Sequence, residues 1–194
     1  MDAVFDITNV ILETPRLILR EWKESDLDDL YEYASVSGTC ENAGFSHHKN
    51  KEESLNILKL FIEEKKTFAL EYKENNKVIG SIGVEFIRHK IEELDNYLGR
   101  EIGYVLSKDY WGKGIMVEAV NNVIDYLFNN LNYDFLLSGY FSFNLQSKRV
   151  QEKCGFKSLK NIIFDTKLGH KEPGVLTILV NQNKNNGIKC LFDY

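Results

Sequence analysis

The segment from Tyr104 to Asn130 constrains the fold more than any other part of the chain. A strand-like run ends at Leu106, and a short loop with two glycines, Gly112 and Gly114, leads into an amphipathic helix. We predict this helix over residues 113–130 because its apolar side chains recur on one face. They are Ile115, Ala119, Val120, Val123, Ile124, Leu127 and Phe128. A helix with such a face packs against a sheet, so the segment predicts an α/β fold.

The rest of the chain supplies strands and helices around this segment. The β-rich runs 67–72 and 77–87 flank an Asn75-Asn76 pair and predict a β-hairpin. Capping patterns predict helices that begin near Ser25 and Asn50. Further strands are predicted at residues 16–22, 100–106, 134–143, 156–159, 162–166 and 175–181, and a short helix at 144–154.

These elements, in their order along the chain, predict one α/β domain. The predicted fold class is a single-domain mixed sheet with flanking helices, since hairpin-connected and helix-connected strands both occur. We expect this domain to span residues 1–181. Residues 182–194 are expected to form a loosely held C-terminal tail, because Asn185, Asn186 and Gly187 follow the last strand.

Composition and charge exclude several classes of protein. The 194 residues include 24 Lys and Arg against 29 Asp and Glu, a net charge of −5, which argues against nucleic-acid binding through bulk charge. No apolar run reaches the roughly 18 residues of a membrane span, and Met1–Leu12 lacks the basic region of a signal peptide. The three cysteines form no CxxC pair and have no histidine at ligand spacing. We therefore expect a reduced, cytoplasmic protein with no metal site and no membrane partner.

The glycine loop is a candidate phosphate site. Gly112 and Gly114 allow the backbone to turn with its amides exposed at the positive end of the helix dipole, where a phosphate or diphosphate is stabilised. The spacing is not that of a Walker A loop, and Val117 stands where a Rossmann fingerprint has its third glycine. A tight strand-to-helix turn without a ligand is the alternative.

Three motifs, at residues 14–20, 111–116 and 144–156, occur in an order known from one enzyme family. They are Thr-Pro-Arg-Leu-Ile-Leu-Arg, Trp-Gly-Lys-Gly-Ile-Met and Asn-Leu-Gln-Ser-Lys-Arg-Val-Gln-Glu-Lys-Cys-Gly-Phe. Together they resemble the GNAT family of N-acetyltransferases, in particular the RimJ/RimL-like branch that acetylates ribosomal-protein N-termini. The resemblance covers residues 13–180. Trp111 and Met116 depart from the first and last residues of the family's diphosphate loop, Gln/Arg-x-x-Gly-x-Gly/Ala.

The resemblance implies that acetyl-CoA is the cosubstrate and that no metal is needed. Its pantetheine arm would run along residues 102–106, where this strand and the strand at 134–143 splay apart, and its diphosphate would lie on the glycine loop. The implied cofactor-binding residues are Ile102, Tyr104, Val105, Leu106, Gly112, Lys113, Gly114, Ile115, Met116, Asn144, Ser147 and Lys153. A helix N-cap is the alternative role for Asn144.

Two catalytic residues are implied by the same resemblance. Glu101 matches the carboxylate that takes a proton from the amine in many family members, and a solvated strand-edge charge is its alternative. Ser147 would hydrogen-bond the leaving thiolate, because Gln151 stands where many members have a tyrosine. An ordinary first-turn serine is the alternative for Ser147. Tyr104 and Trp111 are expected to be packing residues.

The function expected from the resemblance is direct transfer of acetyl from acetyl-CoA to a primary amine. The acceptor would be a protein N-terminal α-amine or a related small amine, and residues 41–48 would form its wall. The alternatives are an acyl-CoA-binding module without turnover and an acetyltransferase of a drug-like or metabolite amine. Members of the family are often dimers, so a homodimer is a further expectation.

Overall fold

One mixed sheet contains all the strands of the described residues. The computed structural model describes residues 5–184 and 187–188. Within this part of the chain the strands are β1 (Leu12–Glu13), β2 (Leu17–Arg20), β3 (Thr67–Tyr72), β4 (Lys77–Glu85), β5 (Gly99–Leu106), β6 (Phe135–Phe141), β7 (Lys157–Asp165) and β8 (Lys171–Val180). Their order is β1-β2-β3-β4-β5-β6-β8-β7, and β5 and β6 form the parallel pair in an otherwise antiparallel sheet. The predicted mixed α/β sheet is confirmed.

Helices cover both faces of the sheet. They are α1 (Leu27–Ala34), α2 (Lys51–Glu64), α3 (Ile115–Asp125, continued by a π-helical turn over Tyr126–Asn130) and α4 (Leu145–Lys153). Alternation along β3 separates the two faces, since Phe68 and Leu70 pack in the cluster that contains α3. Ala69 faces the opposite way and packs with residues of α1 and α2. The fold therefore has a helix layer on each side of the sheet.

Local chemistry explains where several elements begin. Asn76, in the turn between β3 and β4, has a φ of +57°, as expected for an Asn in a tight turn. The Asn50 side chain accepts a hydrogen bond from Glu53 N–H at 3.0 Å and caps α2 as predicted. At α1 the prediction is wrong by one residue, because Asp26 rather than Ser25 precedes the helix. The Asp26 carboxylate accepts a hydrogen bond from Lys23 N–H at 2.8 Å.

The strands β5 and β6 separate part-way along their length. They pair only where Gly99–Glu101 lies beside residues 135–137. Beyond this point β5 stays paired with β4 as far as Leu106, and β6 stays paired with β8 as far as Phe141. The gap between residues 102–106 of β5 and 138–141 of β6 is called the splay below. The predicted parting of these two strands is confirmed.

The C-terminal strands differ from the prediction. Residues 156–159 and 162–166 were expected to form two strands, but β7 runs continuously from Lys157 to Asp165. The polar residues between the two predicted strands suggest a break, but pairing with β8 continues through them with a register shift between Ser158 and Lys160. The short β1 has too few residues for an alternating pattern, so sequence periodicity does not predict it.

Among the described residues of the predicted tail, Ile188 lies in the core. Ile188 is 0% exposed and packs in a cluster with Leu94 and Leu176. Residues 1–4, 185–186 and 189–194, which include Cys190, lie outside the described residues. The division into residues 1–181 and a tail 182–194 stays a prediction.

Candidate active site

The glycine loop presents backbone amides ahead of α3. Gly112 and Gly114 have φ values of +74° and +73°, a left-handed conformation that glycine adopts without strain. The first hydrogen bond of the helix runs from Glu118 N–H to Gly114 C=O at 3.1 Å. α3 begins at Ile115 rather than at the predicted Lys113, because a left-handed Gly114 cannot lie within a helix. The amides before Glu118 have no helical acceptor and lie at the positive end of the helix dipole.

The space around this loop fits a diphosphate. A Cβ built on Gly112 would meet no atom within 4 Å, so the space beside the loop is open. The side chains of Ile115 and Met116 are 1% and 4% exposed, so they anchor the helix start in the core and offer their backbone amides. Lys113 is one of the predicted cofactor-binding residues, and its ammonium lies 5.2 Å from the centre of the Tyr110 ring. These residues match the chemistry of the predicted anion site.

Arg16 holds the loop in place. Its Nη1 donates to the carbonyl of Lys113 at 2.9 Å, and its Nε donates to a Glu118 carboxylate oxygen at 2.7 Å. The backbone N–H of Arg16 donates to the other Glu118 oxygen at 3.0 Å. Burial raises the pKa of Glu118, but hydrogen bonds from Thr14 and Arg16 outweigh it and lower the pKa overall. Sequence reasoning missed this clamp, because it joins residues that are 102 positions apart.

Alternate residues of β5 turn their backbone groups toward the splay. Ser107 N–H donates to Ile79 C=O at 2.8 Å. This bond shows which residues of β5 direct their backbone groups toward β4. Since bonded and non-bonded pairs alternate in an antiparallel ladder, Val105 also bonds to β4. Tyr104 and Leu106 point their backbone groups the other way. Of the predicted cofactor contacts, Val105 thus offers no backbone group to the splay.

Two carbonyl groups on this edge have partners within the protein. Ser138 Oγ donates to Ile102 C=O at 3.0 Å, and Trp111 Nε1 donates to Leu106 C=O at 2.9 Å. The Tyr104 backbone lies between these two bonds. An amide of a peptide-like ligand would hydrogen-bond to the Tyr104 backbone, as a residue of an added strand does. Trp111 is more than the packing residue that we expected, because its indole fixes the end of β5.

Glu101 lies where the two strands part. It forms the last parallel pair with Leu137, and it is 3% exposed. Arg88 donates to its two carboxylate oxygens, from Nη2 at 2.9 Å and from the backbone N–H at 3.2 Å. On the same face of β5, a Cβ built on Gly103 would meet no atom within 4 Å. The predicted base is therefore buried, held by an arginine and close to open space, which differs from a solvated strand-edge charge.

The N-terminus of α4 brings Ser147 to the strand β5. Asn144 caps this helix by accepting a hydrogen bond from Ser147 N–H at 3.0 Å, and its Nδ2 donates to Asn42 C=O at 3.0 Å. The hydroxyl oxygens of Tyr104 and Ser147 lie 2.9 Å apart. Burial raises the pKa of Tyr104 to about 12, although hydrogen bonds to Ser147 and Gln151 lower it, so this phenol stays protonated near neutral pH. Tyr104 was expected to bind the cofactor and to pack, and the contact of its side chain with Ser147 was not predicted.

Gln151 is tied into the sheet by both ends of its amide. Its Nε2 donates to Gly139 C=O at 2.9 Å and approaches Ser147 Oγ at 3.3 Å. Its Oε1 accepts from the Thr177 hydroxyl at 2.7 Å, and the residue is 2% exposed. The residue at the position of the family's tyrosine therefore links α4 to β6 and β8.

Residues 41–48 contact α4 and the turn after β7, and their role as an acceptor wall stays a prediction. Gly44 C=O accepts from Lys167 N–H at 2.9 Å, which joins this loop to the turn after β7. Glu41 Oε1 lies 2.6 Å from His47 Nδ1. Burial raises the pKa of Glu41, but hydrogen bonds from His47 and from backbone amides outweigh this effect and lower the pKa overall. Lys153 is exposed in the last turn of α4, at the opposite end of the helix from Ser147, and so lies apart from the other predicted site residues.

Two searches of residues 5–184 and 187–188 gave negative results. No group of three or more His, Cys, Asp and Glu side chains in this part of the chain is arranged to hold a metal ion. No helix found there combines the length and the apolar character needed to cross a membrane.

Comparison with protein-family models decides the family. Residues 16–157 match the model described as "Acetyltransferase (GNAT) domain". The chain belongs to the GNAT acetyltransferase family. The resemblance seen in the sequence motifs is confirmed, and this GNAT protein is an acetyltransferase.

Similar proteins agree with this assignment. The GNAT protein is 26% identical over 152 residues to the uncharacterized N-acetyltransferase YoaA of Bacillus subtilis (strain 168), over 76% of this chain and 82% of YoaA. It shares its fold with a GNAT-family acetyltransferase from Bacillus anthracis, with a TM-score of 0.77, 19% identity and coverage of 89% and 99% of the two chains.

Two further solved structures share the fold and differ in the acceptors that they name. One is the ribosomal-protein-S5-alanine acetyltransferase from Vibrio fischeri (TM-score 0.66, 24% identity, coverage 92% and 100%). The other is the spermidine N-acetyltransferase from Vibrio cholerae in complex with CoA and spermine (TM-score 0.68, 17% identity, coverage 87% and 97%). At these identities the likeness shows the fold and leaves the acceptor of this protein open.

Proposed function

We propose that this GNAT acetyltransferase moves acetyl from acetyl-CoA directly to a primary amine, with a protein N-terminal α-amine or a related small amine as the acceptor. One observation carries the proposal: Glu101, a buried carboxylate, lies where β5 and β6 part. The open edge at Tyr104 and the glycine loop continue along the same strand toward α3. A proton acceptor and a site for a peptide-like arm with a diphosphate therefore follow one another along β5.

Acetyl-CoA would supply an acetyl group activated as a thioester. The backbone amides around Gly112, Lys113 and Gly114 would hold its diphosphate, supported by the helix dipole. The backbone of Tyr104 would hold an amide of the pantetheine arm. This binding mode needs few specific side chains, which agrees with the buried anchoring roles of Ile115 and Met116.

Glu101 would accept the proton that the acceptor ammonium must lose before the amine can attack. An α-amine has a pKa near 8 and a lysine amine near 10.4, so most of the acceptor is protonated at neutral pH and needs a base. Before the attack, a Glu101 oxygen takes one proton from the ammonium, directly or through a water molecule, and this frees the nitrogen lone pair. As the new C–N bond forms and the C–S bond breaks, water accepts the second nitrogen proton, which leaves a neutral amide. The two hydrogen bonds from Arg88 would hold this carboxylate in place.

Ser147 would stabilise the thiolate that leaves. A serine hydroxyl is too weak an acid to give up its proton fully, so it donates a hydrogen bond to the sulfur while water supplies the proton that the CoA thiol finally carries. The position of Ser147 in the first turn of α4, in contact with Tyr104 of β5, supports this role.

The charges around the site favour a peptide N-terminus over a polyamine. Glu101 is paired with Arg88, and Glu41 is paired with His47. A polycation would gain little from carboxylates that already have basic partners. An acceptor with a single amine needs only the proton acceptor, and the exposed Phe45 provides apolar surface in the loop 41–48.

The test is a comparison of Glu101→Gln with wild type, using thiol release from acetyl-CoA. The acceptors are short peptides with N-terminal Ala, Ser or Met, and spermidine. We expect kcat to fall by about 100-fold in Glu101→Gln, while the Kd for acetyl-CoA from calorimetry stays within about two-fold. Glu63→Gln, on the exposed part of α2, is the control and should behave as wild type. Equal rates in Glu101→Gln and wild type at every pH would contradict the proposed base.

A further inference from the structure

Ser147 Oγ lies among polar groups of two other residues. Tyr104 Oη is 2.9 Å away and Gln151 Nε2 is 3.3 Å away. Gln151 lies one turn after Ser147 on the same face of α4, and Tyr104 reaches it from β5. Gln151 is 2% exposed and Tyr104 is partly buried, so both side chains are held within the protein.

The direction of one of these hydrogen bonds is fixed. Gln151 Nε2 donates to Gly139 C=O, and because a carbonyl can only accept, this contact determines the amide orientation. Nε2 is therefore a donor to Ser147 in every arrangement of protons. A hydroxyl has one proton and two acceptor positions, so Ser147 Oγ keeps one acceptor position and its own proton.

The Tyr104 contact has two proton arrangements, and a charged acceptor selects one. Either Ser147 donates to Tyr104, whose own proton then goes to Ser147 C=O at 3.2 Å, or Tyr104 donates to Ser147 Oγ. Hydrogen bonds to an anion are about twice as strong as those between neutral groups. When a thiolate lies beside Ser147, the serine proton turns to the sulfur, and Tyr104 then donates to Ser147. In this arrangement both acceptor positions of Ser147 are filled.

We propose that Tyr104 and Gln151 are positioning residues that together direct the Ser147 proton toward the cofactor sulfur. The inference rests on the function proposed above. It also gives a role to the departure at position 151, where a tyrosine is usual in the family. Here the phenol comes from β5 instead, and it acts through Ser147 rather than on the sulfur. The raised pKa of Tyr104, about 12, keeps this phenol a donor at neutral pH.

Binding of free CoA tests the inference without any acceptor amine. Calorimetry compares CoA with desulfo-CoA, which lacks the sulfur, in wild type, Tyr104→Phe, Ser147→Ala and the double variant. If the pKa of the bound thiol falls from about 8.5 to about 7.5, CoA gains about six-fold in affinity over desulfo-CoA between about pH 7 and about pH 9. Titrations elsewhere in the protein affect both ligands and cancel in the ratio.

The variants separate positioning from a purely structural role. We expect Tyr104→Phe to reduce the six-fold gain to less than about two-fold while desulfo-CoA binds as in wild type. In the Ser147→Ala background the same change should have no further effect, because Tyr104 acts through Ser147. Tyr126→Phe, near the end of α3, is the control that should keep the full gain. If Tyr104→Phe does not fold, Gln151→Met removes the second donor and should reduce the gain in the same way.

The outcomes distinguish this inference from the proposed function. A wild-type protein that binds neither CoA nor desulfo-CoA would contradict the proposed function, and the inference with it. Binding of both ligands with no gain for CoA at high pH would overturn the inference alone. The inference would also be overturned if Tyr104→Phe kept the full gain in CoA affinity. The same holds if Tyr104→Phe reduced this gain equally with Ser147 present and with Ser147 replaced by alanine.

Discussion

Replacing Gly114 with aspartate tests whether the loop before α3 binds a diphosphate. Gly114 has a φ of +73°, and a Cβ at this position would meet only Arg16 Nη2, at 3.9 Å. Asp and Asn tolerate a left-handed conformation better than other residues with a Cβ. In the free protein an Asp carboxylate would also gain an interaction with Arg16. We therefore expect Gly114→Asp to fold with a Tm close to that of wild type.

The effect on acetyl-CoA binding should be large because it is electrostatic. A carboxylate about 5 Å from a phosphate charge costs about 3 kcal/mol at an effective dielectric constant of about 20, which corresponds to roughly a 200-fold increase in Kd. Pairing with Arg16 offsets part of this repulsion, so we predict an increase of about 100-fold, measured by calorimetry.

Two matched variants isolate the charge. Gly114→Asn has nearly the same shape and backbone preference as Gly114→Asp but no charge, and should raise Kd by less than about ten-fold. Gly169→Asp places an aspartate at another open glycine, with a φ of +83°, in the turn between β7 and β8, and should leave Kd unchanged. Equal affinities in Gly114→Asp and Gly114→Asn would refute diphosphate binding on this loop.

Three further predictions follow from contacts in the structure. Arg16→Met removes the hydrogen bond to Lys113 C=O at 2.9 Å and should weaken acetyl-CoA binding by about ten-fold in calorimetry, and unchanged affinity would show that the clamp is dispensable. Gly99→Ala would place a Cβ 2.3 Å from the buried Phe135 ring and should lower the free energy of unfolding by about 1–3 kcal/mol in urea titrations, with no loss contradicting this packing. Burial lowers the pKa of His48 below its usual value of 6.5, so the unfolded chain binds more protons than the folded protein below about pH 6.5, and stability should fall as the pH decreases. The Tm of His48→Gln should fall less steeply over this range, and parallel curves would contradict the assignment.

Local patterns predicted much of the fold. The glycine loop and α3 followed from residues adjacent in the chain, since both a left-handed turn and an amphipathic face are short-range properties. The hairpin turn at Asn76 is of the same kind. Prediction was wrong where a distant partner decides the outcome, as in β7, whose polar interruption is absorbed by pairing with β8.

The candidate site was predicted less completely. Glu101, Ser147 and Tyr104 came from the family resemblance. The contacts of Arg88 with Glu101 and of Tyr104 with Ser147 did not, because no sequence spacing indicates them. Tyr104 and Ser147 are 43 positions apart, and their contact joins α4 to β5 beyond the point where β5 and β6 part. Such pairs require the three-dimensional arrangement of the sheet and cannot be inferred from periodicity.

The most direct test of the proposed function is amine-dependent thiol release from acetyl-CoA, with mass spectrometry of the acceptor peptide. We predict that wild-type protein releases CoA only when an amine is present, that the peptide N-terminus gains one acetyl group for each CoA released, and that Glu101→Gln slows both by the same factor. Tight binding of acetyl-CoA with no thiol release across the peptide and polyamine panel would contradict transfer to these amines.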